Sequence, residues 1–196
     1  MKTVIGFLSR PHGLNVLKGL IDSPNYKVIQ LFTHSLKPAS EDRNRSKRDD
    51  FDLFVKICDE NNIPLTTIDQ KNDSITNCLD CDFIVEVSWR YLIPQEITQK
   101  SRISSFGIHR GKLPDYAGAE PIKQALLKNE KEIFLTAHNL FHEIDQGSVI
   151  CFQKHPVNFN KNESLERNIQ RLRDEITPLF SKLVILTLEK LTTKNS

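Results

Sequence analysis

No apolar run in this 196-residue chain approaches the roughly 18 residues that a membrane-spanning helix needs, so no membrane partner is expected. Charge of one sign is equally lacking. Lys and Arg total 27 against 25 Asp and Glu, and a net charge of +2 does not mark a binder of nucleic acid or of an acidic surface. The one basic cluster, EDRNRSKRDD at 41–50, mixes both signs without an aromatic residue and reads as a solvated loop. Cysteine is scarce. Cys58, Cys78, Cys81 and Cys151 make one C-x-x-C, with no second pair or spaced histidine pair, so no metal site is expected. Reduced thiols of this kind fit a cytoplasmic protein. The apolar start, MKTVIGFLSRPHG, is followed by no small-residue cleavage site and reads as a strand, not a signal peptide. Repeats, low-complexity segments and linkers are absent too, which leaves a single domain over residues 1–196.

What is present alternates. TVIGFL (3–8) and YKVIQLFTH (26–34) read as strands, separated by a helical pattern with Leu14, Leu17, Leu20 and Ile21 on one face. FDLFVKICDENN (51–62) is an amphipathic helix, IPLTTI a short strand, and DFIVEVSW (82–89) a strand apolar enough for the centre of a sheet. SFGIH leads to a helix at EPIKQALLKN. Two strands follow, EIFLTAHNLF and SVICFQKHPV, joined by a tight HEIDQG turn in which Gly147 would supply backbone freedom. A long helical pattern, expected to bend at Pro178, closes the chain. Strands alternating with helices predict an α/β fold, a doubly wound, mostly parallel sheet with helices on both faces. Ligands of such sheets bind outside the carboxyl ends of the strands.

That rule draws attention to SSFGIHRGKLPDYAGAEP (104–121). His109 stands at a predicted strand end, before a loop stiffened by Pro114 and Pro121. Asp145 lies 36 positions on, in the predicted hairpin turn. A histidine and an aspartate meeting at a sheet mouth can share proton transfer. On spacing alone, His109 can equally be a satisfied structural residue and Asp145 a turn former.

The stretch IHRGKLPDYAGAEPIKQALLKNEKEIFLTAHNLFHEIDQGSVI resembles the core motif of the folate-dependent formyltransferases. His109, the loop residues Leu113, Pro114, Tyr116 and Gly118, and Asp145 with Gly147 take the motif positions. The resemblance implies transfer of a formyl group from 10-formyltetrahydrofolate in one-carbon metabolism, with His109 and Asp145 catalytic. It implies that Trp89, Arg90, Tyr91, Leu92, Glu143 and Gly147 hold the folate. It places Arg10, His12, Gly13 and Asn15, in the SRPHGLN loop, and His138 on the substrate side. His109 would donate to the oxygen of the tetrahedral intermediate, and Asp145 would orient it or a water and help move the proton. The family's Asn is replaced by Gly107, so one donor is missing. Asn139 or a water could replace it, a different acceptor could need less help, or the protein could bind folate or an anion without chemistry. A hydrolase passing the formyl group to water is a further alternative. Arg173, with Glu175 nearby, stands where the glycinamide ribonucleotide branch has a Glu. No C-terminal tRNA-binding domain is read, so the expected partner is a small-molecule amine, with no nucleic acid.

Overall fold

In the computed structural model, which describes residues 1–143 and 145–194, period-two alternation sets the frame. Strand β1 (Lys2–Leu8) sends Val4 and Leu8 to one face of a sheet and Ile5 and Phe7 to the other, and all four are fully buried. A strand apolar on both faces belongs in the middle of a parallel sheet. The remaining elements follow as α1 (Arg10–Asp22), β2 (Tyr26–Thr33), α2 (Phe51–Glu60), β3 (Leu65–Thr67), β4 (Cys81–Val87), α3 (Gln95–Thr98), β5 (Ser101–His109), α4 (Pro121–Leu127), β6 (Glu132–Asn139), β7 (Val149–Pro156) and α5 (Leu165–Lys194). The strand order is β3-β2-β1-β4-β5-β6-β7. Strands β1 to β5 pair in parallel, whereas β6 runs antiparallel to both β5 and β7. The chain winds outward from β1 through β2 and β3, then crosses back to β4. The carboxyl ends of β1 and β4 therefore flank a switch point, where a crevice opens.

Helices cover both faces. The larger core joins Leu17 and Leu20 of α1, Phe54 of α2, Ile122 of α4 and Phe180 and Leu183 of α5 to one side of the sheet. The smaller packs Phe7, Phe32 and Ile84 against Ile97 of α3. Each such side chain, fully buried, contributes about 1.5–3 kcal/mol. Helix α1 is clamped to α5 by the His12 and Phe180 rings, 4.5 Å apart, and by the Ser181 N–H donating to Asn15 Oδ1 at 3.2 Å.

Three local expectations change. The left-handed residue of the β6–β7 turn is Asp145, at φ 58°, not Gly147. Gly147 is needed for a close approach, because a Cβ there would lie 1.6 Å from the Asn139 carbonyl oxygen. The 41–50 loop is not wholly solvated. Arg48 is 5% exposed, pairs with Asp50 at 2.8 Å, donates to the Ser9 hydroxyl and lies over the Phe54 ring. The short α3 was not foreseen, whereas α5 is the one long helix expected, with Pro178 inside it. Among the described residues no helix is long and apolar enough to cross a membrane, and no cluster of three His, Cys, Asp or Glu side chains could hold a metal.

Candidate active site

The site is built on a row of residues across the sheet. Phe7 of β1 pairs with Glu86 of β4, Glu86 with Gly107 of β5, and Gly107 with His138 of β6. Neighbouring strands lie only about 5 Å apart, so side chains in such a row touch. Two residues beyond Gly107, on the same face, His109 ends β5.

His109 Nδ1 lies 3.2 Å from Asp145 Oδ2, and Nε2 lies 2.6 Å from the Tyr116 carbonyl oxygen. Both ring nitrogens thus face acceptors within the protein. The arrangement makes His109 a brace between the stiff loop and Asp145. Asp145 also accepts from the Gly118 N–H at 3.0 Å and lies 3.6 Å from His138 Nε2. Burial alone would raise the Asp145 carboxyl. The hydrogen bond and charge of His109, with Gly118 and His138, outweigh it and hold Asp145 below its ordinary value. Burial keeps His138 low, hence neutral.

Beyond β4 the chain turns at Ser88, φ 57°, and the Trp89 N–H donates to Glu86 Oε1 at 2.8 Å. The Trp89 ring stacks on His34 with centroids 4.1 Å apart. His34 Nδ1 donates to the Ile68 carbonyl, and its Nε2 accepts from the Arg90 N–H at 3.2 Å. Burial, aided by the charges of Arg90 and Arg48, lowers His34 to about 4, so the neutral ring pins the Trp89–Arg90 segment. Arg90 donates to the Leu36 carbonyl and Tyr91 to the Asp69 carbonyl. Trp89 Nε1 and Arg90 Nε and Nη1 are buried donors without an acceptor among the described residues.

These parts enclose a cavity of about 520 Å³ lined by Trp89, Arg90, Tyr91, Leu92, His109, His138, Glu143 and Asp145, all singled out in the sequence. Glu86 and Arg110 line it too and were missed. The available signals were an acid inside a strand otherwise read as apolar, and an arginine directly after His109. Gly147 lies outside the lining, and so does Asn139, whose amide donates to the Ser148 hydroxyl and accepts from the Ser104 hydroxyl.

Arg10, His12, Gly13 and Asn15 lie on α1, outside the cavity lining. Arg10 pairs with Glu41, Gly13 packs against Leu8, and Asn15 is held by α5. His12 is 6% exposed, and neither ring nitrogen has a hydrogen-bond partner among the described residues. Burial, then the charges of Arg110, Arg10 and Arg173, lowers it to about 3. Arg110 is itself lowered to about 10 by burial and by Arg173 and Arg10, with Glu86 opposing. A cationic cluster thus joins α1, the end of β5 and α5 beside the cavity.

Fold and site together define an α/β protein with a His–Asp pair in a cavity beside the carboxyl ends of β4 and β5. The chain belongs to the Formyl transferase family, whose model matches residues 12–184. It is 27% identical over 180 residues to a methionyl-tRNA formyltransferase of Bacteroides thetaiotaomicron, covering 90% of this chain and 52% of that protein. It spans about half the length of the curated relatives it matches. Its fold resembles phosphoribosylglycinamide formyltransferase from Bacillus halodurans, with a TM-score of 0.71 at 21% identity over 100% of this chain and 97% of that one. It also resembles a formyltetrahydrofolate deformylase from Pseudomonas syringae, with a TM-score of 0.65 at 20% identity over 91% of this chain and 58% of that one. The expectation of a small-molecule amine and no nucleic acid does not stand, because the curated relatives are named for action on a tRNA.

Proposed function

We propose that this chain transfers a formyl group from 10-formyltetrahydrofolate to an amine carried on a nucleic acid, the amino group of an aminoacylated tRNA end. The observation that carries this is the His109–Asp145 pair inside a cavity whose other wall is the Trp89–Leu92 segment. The cavity fits the donor. About 520 Å³ lies within the ~300–1,000 Å³ typical of small-molecule sites, and the Trp89 and Arg90 donors offer polar contacts beside aromatic surface. Bound there, the donor supplies the formyl carbon.

The protein's own residues do the rest. Asp145, kept ionised by His109 and Gly118, draws a proton from the attacking amine, directly or through a water. His109 fixes Asp145 against the Tyr116 carbonyl. Arg10, Arg110 and Arg173 face phosphate groups of the acceptor, which guanidinium pairs well. The described residues act as the catalytic unit.

The test mixes purified protein with 10-formyltetrahydrofolate and either aminoacylated tRNAs or small free amines, and follows tetrahydrofolate release by absorbance. Release with charged tRNA is expected. Release without any acceptor would make the protein a hydrolase instead. No release, with no binding of the donor in calorimetry, refutes the reading.

A further inference from the structure

Gly107 is not an empty position. Glu86 reaches over it from the next strand, so that a Cβ on Gly107 would lie 2.5 Å from Glu86 Oε2 and 3.4 Å from His138 Nε2. Any side chain at 107 would have to displace that carboxyl. Glu86 Oε1 accepts the Trp89 N–H. Oε2 is therefore the oxygen free to carry a proton, and Glu86 lines the same cavity as His109 and Asp145. A formyl transfer needs a donor aimed at the oxygen on which charge develops. Both His109 nitrogens face acceptors of the protein, and Asn139 lies outside the cavity lining. We propose that Glu86, as the neutral acid, is a catalytic residue that donates from Oε2 to the formyl oxygen. This rests on the formyl-transfer reading above.

The groups facing Glu86 support that state. Burial and the neighbouring Asp145 charge push its carboxyl up to about 7, against the Trp89 N–H, His109 and Arg110. His138, on the far side of Gly107, is held neutral by burial. A carboxylic acid kept neutral in an enclosed site can serve as such a donor. As the amine nitrogen bonds to the formyl carbon, the carbonyl π pair moves to oxygen, and Glu86 hydrogen-bonds that oxygen without losing its proton. When the bond from carbon to the donor nitrogen breaks, its electron pair leaves with that nitrogen. The leaving nitrogen is protonated by the proton that Asp145 took from the amine.

Two measurements test this. Infrared difference spectra, wild type minus Glu86→Gln, should show a protonated carboxyl near pH 6 that shifts when 10-formyltetrahydrofolate binds without acceptor. An ionised carboxylate there, or a band blind to the bound donor, overturns the proposal. In turnover, Glu86→Ala should lower kcat by roughly 10²–10³ while donor affinity stays within about threefold. The double variant Glu86→Ala/Gly107→Asn, which puts an amide donor into the vacated space, should recover much of that loss. Gly107→Asn alone, blocked by Glu86, should not raise kcat. Wild-type turnover in Glu86→Ala sinks this proposal alone. Failure of wild type to bind the donor sinks the formyl-transfer reading and this one with it.

Discussion

Replacing Glu86 by Gln should stabilise the fold in mildly alkaline solution and hardly at all in acid. Burial, and then the charge of Asp145, lift the Glu86 carboxyl from its ordinary 4.5 to about 7 in the folded protein. Below 4.5 both folded and unfolded chains hold the proton, and ionisation costs the fold nothing. Between 4.5 and about 7 the unfolded chain ionises while the folded one resists, so stability falls as pH rises. Above that window the folded state bears the whole cost of a buried carboxylate. A gap of about 2.5 pH units at ~1.4 kcal/mol per unit sets a ceiling near 3 kcal/mol. Glu86 is partly open to the cavity, so solvent screening brings the expected effect to ~1–3 kcal/mol. Gln keeps the shape and the acceptor for the Trp89 N–H but never ionises. Urea unfolding of both proteins at about pH 5 and about pH 8 reads the difference directly. A stability gap that is the same at both pH values would refute the placement of an easily protonated acid over Gly107.

Other outcomes follow from the same geometry. Asp145→Asn should cut turnover by roughly 10²–10⁴ and leave donor binding in calorimetry little changed, because the base is lost while the cavity stays. Arg110→Ala and Arg173→Ala should each raise KM for an aminoacylated tRNA by about tenfold or more and flatten its salt dependence. His12→Leu should lessen acid destabilisation. Burial and the arginine charges hold His12 near 3 against an ordinary 6.5, so the stability of a neutral His12 is lost as pH falls through that range. Melting temperatures between about pH 4 and pH 7 check this, with an expected gain of ~1–3 kcal/mol at the acid end.

The sheet was legible because β1, β2 and β4 carry apolar residues on both faces, a pattern that only a central parallel strand sustains. His109 and Asp145 could be named from their motif positions, and the fold brings them to 3.2 Å. Glu86 could not be named in that way. Its meaning depends on strand register, which sets it beside a glycine 21 positions away, and a single sequence does not show which strands are neighbours. The arginine cluster was hidden for a similar reason. Arg10, Arg110 and Arg173 come from three separate elements and gather only around His12. The packing of Gly13 on Leu8 and the hold of α5 on Asn15 could not be read from the sequence either, because a loop that grips an anion and one that packs on its neighbours look alike there.

The contact between Glu86 and Gly107 also constrains how such a site can change over generations. An Asn arriving at 107 first collides with the carboxyl, and an Ala arriving at 86 first leaves the space without a donor. The two positions share one space, joined across a strand pairing rather than along the chain. Judged alone, residue 107 is a bare stretch of backbone. Judged with residue 86, it is the floor on which a neighbouring carboxyl rests.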